Sequence, residues 1–159
     1  MKIIKKLYRV FILLFIKIRN KGNISIGNNF CFRRGININV RDSGELIIGN
    51  NVFINNYCSI NCRERIVIGD NTIFGEGVKI YDHDHKYRDP NILIKDQGFA
   101  NKEITIGNNC WIGSNSVILK GASIGDNCVI GAACIIRGQI PNNHIVFHQN
   151  SLTIKEIGT

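Results

Sequence analysis

The amino-acid sequence predicts an all-β solenoid, a parallel β-helix in which the chain coils and stacks on itself. The first observation is a strict period, because isoleucine returns every six residues from Ile106 to Ile136. A helix repeats its apolar face at about 3.6 residues and a strand at 2, so a period of six fits neither element alone. The second observation is regular punctuation, for IGNN occurs three times and IGDN twice. Glycine and asparagine accept the tight backbone geometry that a corner every sixth residue requires.

The same period divides the chain into five coils, each made of three units of six residues. Their first residues are Ile26, Phe32 and Ile38; Ile48, Ile54 and Ile60; Ile68, Phe74 and Ile80; Ile106, Ile112 and Ile118; and Ile124, Ile130 and Ile136. Four extra residues follow the first coil, two follow the second and twenty follow the third. A fixed short period of this kind is typical of a β-helix, in which stacking buries the face that one coil leaves open.

The inward positions account for most of the cysteines. In each unit we expect the first and fifth residues to point inward, and the fifth is small or medium. These fifth residues are Val52, Cys58, Thr72, Val78, Cys110, Ser116, Ala122, Cys128 and Cys134. Four of the six cysteines therefore occupy positions that suit a small apolar group. Because the chain has no CxxC pair and no convincing cleaved signal, we expect structural thiols in a reducing cytoplasm and no zinc site made from cysteines.

The positive charge is concentrated at the N-terminus. The chain has a net charge of +8, and residues 1–22 carry seven positive side chains and no acid. The remainder carries thirteen positive and twelve acidic side chains, so the predicted β-helix domain, residues 23–159, is nearly neutral. We therefore expect no nucleic-acid partner.

Residues 1–22 are predicted to form a basic amphipathic helix. Its apolar run from Val10 to Ile16 is seven residues long, against the ~20 that span a bilayer, and basic residues stand where a signal peptide would be cleaved. Two compatible roles fit this segment. One is a cap over the first coil, and the other is a helix on an anionic membrane surface with Phe11, Leu14 and Phe15 in the lipid. The predicted location is therefore the cytoplasm, with the inner face of the membrane as the site of contact.

The longest interruption, the loop 81–103, carries the candidate chemistry. It opens with the sequence YDHDH, which places two of the four histidines beside two carboxylates. Histidine accepts a proton near neutral pH and a neighbouring carboxylate can fix its tautomer, so the loop predicts general-base catalysis. The alternative is a metal site in which His144 or His148 joins His83 and His85. That third ligand has no motif behind it, and we expect no metal.

The repeats, this loop and the following ITIGNNCWIGSNSVILKGASIGDNCVIGAACII resemble the hexapeptide-repeat acyltransferases. The resemblance is greatest to the maltose and galactoside acetyltransferases and to the O-acetyltransferases of bacterial capsule and lipopolysaccharide synthesis. It covers roughly residues 23–157 and is most specific at Trp111-Ile112-Gly113. It implies a left-handed parallel β-helix, a homotrimer, and acetyl-CoA in the groove between neighbouring prisms. The implied reaction is direct acetyl transfer to a saccharide hydroxyl of a cell-surface polysaccharide or its precursor, with no acyl-enzyme.

The resemblance also implies roles for individual residues. His85 is the general base, since the coil from Ile68 to His85 keeps the family's length. His83 is then a contact to the acceptor, and Asp82 or Asp84 orients a histidine. The remaining implied contacts are Asn55 and Trp111 to the acceptor, Trp111 to the acyl group, the Ser114 N–H to the thioester oxygen, Ala132 and Ala133 to pantetheine, and Arg137 near the nucleotide.

The C-terminal segment departs from the family pattern. Related enzymes show a Gly-x-Pro-Ala-like turn where this chain has FHQNSL at 147–152, so the distal coenzyme contacts are not assigned. Two other classes of function stay open on the sequence alone. One is a metal-dependent β-helix enzyme resembling the γ-class carbonic anhydrases, and the other is a non-catalytic β-helix scaffold.

Overall fold

The computed structural model describes residues 11–16, 18–20, 23–41 and 43–148. The first part of the predicted N-terminal helix and the C-terminal segment from residue 149 lie outside these residues. Helix α1 covers residues 11–16 and 18–19, and a short 3-10 helix lies at Ile94–Asp96. The strands are β1 (Asn23–Ile26), β2 (Cys31–Phe32), β3 (Asn37–Val40), β4 (Glu45–Ile48), β5 (Phe53–Ile54), β6 (Ser59–Cys62), β7 (Arg65–Ile68), β8 (Ile73–Phe74), β9 (Lys79–Tyr81), β10 (His83–His85), β11 (Phe99–Asn101), β12 (Ile104–Ile106), β13 (Trp111–Ile112), β14 (Val117–Leu119), β15 (Ser123–Ile124), β16 (Val129–Ile130), β17 (Ile135–Ile136), β18 (Gln139–Ile140) and β19 (Ile145–Val146).

Three parallel sheets form the walls of the molecule. Sheet A has the order β1-β4-β7-β12-β15-β18, sheet B the order β2-β5-β8-β13-β16-β19, and sheet C the order β3-β6-β9-β14-β17. Apart from β10 and β11, which pair with each other, successive strands of the chain enter sheets A, B and C in turn, and each pairs with a strand one coil away. This arrangement confirms the predicted parallel β-helix.

The predicted number of coils is one too few. Within the described residues the chain completes five coils and begins a sixth, in which β18 pairs with β15 and β19 pairs with β16. The sixth coil starts at Ile140, four residues after Ile136, so the break in period concealed it. Val146 follows Ile140 at the usual spacing of six.

The core is a stack of the first residues of the units. In sheet C, for example, Ile60 lies between Ile38 and Ile80, and Ile118 lies between Ile80 and Ile136. These isoleucines are at most 4% exposed, and each stabilises the fold by about 1.5–3 kcal/mol on burial. The nine residues predicted at the fifth position are also all buried, which confirms that assignment.

The fifth residues do more than fill space. Cys58 donates a hydrogen bond from Sγ to the Gly75 carbonyl (3.2 Å), and Cys110 donates one to the Gly125 carbonyl (3.1 Å). Ser116 Oγ likewise donates a hydrogen bond to the Gly131 carbonyl (2.9 Å). Each of these side chains therefore provides a hydrogen-bond donor to a corner carbonyl of the next coil.

The corners are built as the glycine and asparagine pattern predicts. The fourth residue of the unit has a positive φ, as in Asn51 (56°) and Asn109 (53°), and these residue types adopt that conformation at low cost. At the corner between sheets A and B, each coil's third residue caps the coil before it. Asp70 Oδ1, for instance, accepts a hydrogen bond from the Asn50 N–H (2.7 Å), and Asn108 Oδ1 accepts one from the Asp70 N–H (2.8 Å).

Helix α1 covers the open end of the first coil. Ile16 is buried in the core, with Ile12 and Leu13 packed against the core residues. Arg19 donates to Asn39 Oδ1 (2.8 Å) and to the Ile38 carbonyl (3.1 Å). The described part of the N-terminal segment is therefore a cap on the β-helix.

The opposite side of α1 is apolar as well. Its outer face consists of four exposed side chains at helical spacing, Phe11, Leu14, Phe15 and Ile18. Among the residues that the structure describes, no helix is long and apolar enough to cross a membrane.

Candidate active site

The long insertion folds into a β-hairpin at the corner between sheets C and A. Strand β10 pairs antiparallel with β11, so that His83 lies opposite Asn101 and His85 lies opposite Phe99. The tip is braced by Gln97, whose Nε2 donates to the carbonyls of Asp89 and Ile92 (2.8 Å each). The hairpin therefore holds both histidines in a strand at its base.

Asp82 orients one of the two histidines. Its carboxylate is fully buried and accepts hydrogen bonds from the N–H groups of Arg63 (2.9 Å) and Glu64 (2.8 Å). Its Oδ1 also lies 2.8 Å from His83 Nδ1. A carboxylate partner places the proton on Nδ1 and leaves Nε2 as a proton acceptor, which is the arrangement of an oriented base.

Phe99 is a common platform for three side chains of the site. Its ring lies 4.4 Å from the ring of His85, 5.4 Å from that of His83, and 3.6 Å from Arg63 Cζ. Arg63 and Phe99 were not among the predicted site residues. The sequence signal for Arg63 is the pair of extra residues between the second and third coils, whereas Phe99 is brought to the histidines only by the pairing of the hairpin.

His85 has no carboxylate partner among the described residues. Its side chain is exposed and contacts the ring of Phe99 on one side. The neighbouring carboxylate, that of Asp84, forms an ion pair with Lys120 instead (Oδ2 to Nζ, 3.1 Å). Of the two predicted orienting carboxylates, Asp82 therefore acts on His83, and neither acts on His85 within one chain.

The cysteine nearest to this group is not suited to be a nucleophile. Burial raises the pKa of the Cys62 thiol, and the Asp82 carboxylate raises it further. Cys62 is 1% exposed and its Sγ donates to the Glu45 carbonyl (3.3 Å). Because the thiolate is the reactive form, Cys62 stays protonated and inert at neutral pH.

A second group of predicted residues lies on sheet B and at the corner between sheets B and C. Trp111 projects outward from β13, between Ile73 and Val129 on the neighbouring strands, and is 54% exposed. Asn55 lies at the same corner in the second coil, and its Oδ1 accepts a hydrogen bond from the Asn56 N–H (2.9 Å).

The amide of Ser114 is left open at this corner. The Ser114 side chain caps the coil before it, because its Oγ accepts a hydrogen bond from the Glu76 N–H (3.2 Å). The residue at the equivalent position one coil further on is Ala132, whose methyl group cannot accept a hydrogen bond from the Ser114 N–H. Within the described part of the chain, the Ser114 N–H has no acceptor. Ala132 and Ala133 are exposed beside it, and Ala133 has the positive φ (57°) that asparagine or glycine adopts elsewhere.

One chain does not join these two groups. Arg137 is exposed after β17, at the corner where the hairpin also leaves the coil, whereas Ser114, Ala132 and Asn55 share a different corner. No hydrogen bond connects the hairpin histidines with the sheet B group in the described ranges. The predicted site residues thus form two groups, or candidate half-sites, on separate corners of one prism.

The metal alternative finds no ligand set in the residues that the structure describes. No three side chains of histidine, cysteine, aspartate or glutamate come together there in a way that could hold a metal ion. His144, one of the two candidate third ligands, instead has its Nδ1 2.8 Å from the Asn142 carbonyl.

Comparison with known proteins gives one family. Residues 103–138 match the family model "bacterial transferase hexapeptide (six repeats)". The chain is 34% identical over 136 residues to WbbJ of Escherichia coli, described as a lipopolysaccharide biosynthesis O-acetyl transferase, with 81% of this chain and 69% of that protein covered.

Solved structures agree with the fold. A maltose O-acetyltransferase from Clostridium difficile has a TM-score of 0.65 at 28% identity, covering 91% of this chain and 73% of that one. The hexapeptide-repeat acetyltransferase VCA0836 from Vibrio cholerae, solved with acetyl coenzyme A, has a TM-score of 0.56 at 24% identity, covering 79% of this chain and 64% of that one. Together, the coil, the matched repeats and the identity to WbbJ confirm the resemblance seen in the sequence, and the chain belongs to the hexapeptide-repeat acetyltransferases.

Proposed function

We propose that the protein transfers the acetyl group of acetyl-CoA to a hydroxyl group of a saccharide, with a histidine of the hairpin as general base. The observation that carries this proposal is the geometry of the hairpin. His83, which is oriented by a buried carboxylate, and the accessible His85 both contact the ring of Phe99. The acetyl donor is the molecule bound in the VCA0836 complex, and the relative WbbJ is described as acting in lipopolysaccharide biosynthesis. A cell-surface polysaccharide or its precursor is the acceptor class that fits this relative.

The proposed reaction is a direct transfer. The histidine removes the proton from the acceptor hydroxyl, whose oxygen attacks the thioester carbonyl, and a C–O bond forms as the C–S bond breaks. The proton then passes from the imidazolium to the leaving sulfur, so the products are the acetyl ester and free coenzyme. No acyl-enzyme is needed, which is consistent with the inert thiol of Cys62.

Ser114 is proposed to stabilise the oxyanion of this reaction. Its amide N–H lacks an acceptor within the described chain. At the corner between sheets A and B a polar side chain of the next coil accepts the equivalent hydrogen bond, but here Ala132 stands in that position. An amide that is already oriented and unpaired can donate to charge that develops on the thioester oxygen without reorganisation. The exposed methyl groups of Ala132 and Ala133 leave room for a pantetheine chain next to it.

We further propose that the active site is completed between subunits of a homotrimer. The two half-sites lie on different corners of one prism, so a second subunit is needed to bring them together. The outer surface of sheet B supports an interface because its aligned outward residues are mostly apolar. They are Cys31, Phe53, Ile73, Trp111, Val129 and Ile145. In this arrangement Trp111 borders the acyl and acceptor pocket, Asn55 contacts the acceptor, and Arg137 approaches the nucleotide.

The outer face of α1 is proposed to contact an anionic membrane surface. Phe11, Leu14, Phe15 and Ile18 are exposed side by side, while residues 1–22 carry seven positive charges and no negative charge. A partner that is apolar and anionic at once fits this combination, and a bilayer with acidic lipids has both properties. The free cysteines agree with a location on the cytoplasmic side of that membrane.

Coenzyme release with a panel of saccharide acceptors tests the proposed chemistry. We expect His85→Ala to lower kcat by ~10²–10⁴, since that is the usual contribution of a general base. His144→Ala is the matched control, because His144 is exposed on the sixth coil and lies outside both half-sites. If His83→Ala takes the large loss and His85→Ala stays within a few-fold, the oriented Asp82–His83 pair is the base instead. If both variants keep their activity, the hairpin is not the catalytic site.

A further inference from the structure

Tyr57 is an exception to the corner pattern of the repeat. It has a φ of 58°, and every other described residue with a positive φ is an asparagine, a glycine or, in one case, an alanine. A bulky side chain takes this conformation only at a cost in stability, because its Cβ crowds the following carbonyl. Strained residues of this kind cluster at functional sites. The side chain of Tyr57 therefore needs an explanation beyond the geometry of the corner.

The coil itself does not require an aromatic ring at this position. The ring of Tyr57 lies on Gly35 of the coil before, where any side chain would collide with it. At the same corner two coils further on, Asn115 covers Gly77 in the same way. The Tyr57 N–H donates to a carbonyl of the coil before it (3.0 Å), and the Asn115 N–H does so as well (2.8 Å). An asparagine is thus sufficient to build this corner and to cover a glycine below it.

The ring of Tyr57 is both fixed and accessible. Gly35 supports it on one side, and the Arg34 guanidinium lies over it with Cζ 5.5 Å from the ring centroid. The side chain nevertheless stays 52% exposed in the chain. A side chain that is ordered before the ligand arrives loses little entropy on binding. The corner therefore presents an aromatic surface that is suited to bind a ligand.

This surface continues the sheet B half-site. Tyr57 follows Asn55, the predicted acceptor contact, by two residues, and it shares the corner between sheets B and C with the open Ser114 amide. Two coils separate the ring from this amide, which corresponds to about 10 Å at the usual spacing of strands. The coil between them has the sequence GEG at 75–77, so its corner carries a single side chain, that of Glu76. Little side-chain bulk stands between the proposed site of transfer and the ring.

We propose that Tyr57 stacks on a sugar ring of the acceptor that neighbours the sugar receiving the acetyl group, so that the enzyme prefers acceptors of two or more sugars. The hydrogens on the C–H face of a sugar ring are slightly positive, whereas the face of an aromatic ring is negative, so the two attract. The span from the Ser114 amide to the ring exceeds the width of one sugar. The proposal rests on the proposed function and specifies the length of its substrate.

Direct binding tests the ring without any turnover. Maltose, cellobiose and lactose are titrated into the full-length protein with ring-labelled tyrosine, and the ring signals are followed by NMR. The chain has four tyrosines, and the signal of Tyr57 is identified by its loss in Tyr57→Phe. We expect a disaccharide to shift this signal and glycerol, which has no ring, to leave it in place. Absence of a shift with all three disaccharides would overturn the proposal.

The kinetic arm compares disaccharides with single sugars as acceptors. Coenzyme release is measured with maltose and cellobiose against methyl glucoside, and with lactose against methyl galactoside. We expect a KM roughly 3- to 10-fold lower for a disaccharide, the usual contribution of one aromatic contact. This preference should vanish in Tyr57→Asn and remain in Tyr57→Phe. An undiminished preference in Tyr57→Asn would contradict the proposal, whereas a shifted Tyr57 signal without coenzyme release for any sugar would count against the proposed function alone.

Thermal unfolding separates this binding role from a structural one. Tyr57→Asn introduces the residue type that the repeat uses at its corners, so we expect an equal or higher thermal midpoint. Asn71→Tyr is the matched control, since Asn71 has the same φ of 58° at the corner between sheets A and B. Tyrosine at that position should lower the midpoint and leave the preference for disaccharides unchanged. A lower midpoint or a lost trimer in Tyr57→Asn, with KM unchanged, would show that the ring packs against protein and not against a sugar.

Discussion

The surroundings of the Asp82 carboxylate are formed by residues that are distant from it in the sequence. The cost of burying this carboxylate is offset by hydrogen bonds from the Arg63 and Glu64 amides and by the contact with the His83 ring. The two amides come from the turn made by the extra residues of the preceding coil. An interruption of the repeat thus creates the polar cradle that orients a histidine.

The cysteines illustrate the same point for the core. None of the six forms a disulfide, five are buried, and burial raises the pKa of Cys58, Cys62 and Cys110. The period predicted their inward position, but their hydrogen bonds to corner carbonyls became visible only in the folded coil.

These thiols provide a test at the scale of single residues. A raised pKa keeps a thiol protonated until the pH passes that higher value, so at pH 8 Cys58, Cys62 and Cys110 are both inaccessible and protonated. Cys128 and Cys134 are protected from the reagent by their burial. With Ellman's reagent we expect at most one rapid equivalent, from Cys31, which is partly exposed in the single chain and lies on the proposed interface, and the other five only after unfolding in guanidinium chloride. Cys31→Ser should remove the rapid phase. Two or more rapid equivalents in the native protein would contradict this burial.

At the scale of elements, α1 has two apolar faces with different roles. The inner face places Ile16 in the core, and the outer face leaves Phe11, Leu14 and Phe15 in solvent. A cap needs only the inner face, so the outer face is not explained by the β-helix.

Vesicle sedimentation tests the role of this outer face. We expect the protein to bind vesicles that contain 30% phosphatidylglycerol at low salt and to bind phosphatidylcholine vesicles weakly, because the charges of residues 1–22 act only on acidic lipid. The double change Phe11→Ser and Phe15→Ser should weaken binding about tenfold or more, since it removes two apolar anchors. Both side chains are more than half exposed, so the thermal midpoint should not change.

Leu93→Ser is the matched control for this experiment. Leu93 is as exposed as Phe11 but lies on the hairpin, away from the basic segment. Equal binding of the α1 variant and the wild-type protein would show that the outer face does not contact lipid.

At the scale of the whole molecule, the proposed active site combines the two half-sites and is therefore predicted to need a second subunit. Mixed trimers test this requirement. His85→Ala removes the proposed base, and Ala132→Phe fills the space beside the Ser114 amide, so each variant alone should lose activity. Co-refolded mixtures should regain about a quarter of the wild-type rate. In a randomly assembled cyclic trimer, about one site in four combines an intact hairpin from one subunit with an intact sheet B corner from the next.

Sedimentation analysis of the same samples should show a trimer. Failure of the mixtures to regain activity, with trimers present, would show that each site is built from one chain.

The repeating part of the molecule could be predicted from the amino-acid sequence alone. The period of six predicted the coil, the inward isoleucines, the buried cysteines and the positive-φ corners, because each of these depends on backbone geometry that recurs in every unit. It also marked the hairpin as an interruption with catalytic potential. It missed the sixth coil, where the step from Ile136 to Ile140 breaks the period.

The position of the inserted segments against the coil became visible only in the folded molecule. The anchoring of Asp82 by the Arg63 and Glu64 amides and the contacts of the Phe99 ring with both histidines and Arg63 join segments that no period relates. The physical reason is that a repeat constrains the path of the backbone within a coil, whereas an inserted segment is positioned by side-chain contacts that form only when distant parts of the chain pack together.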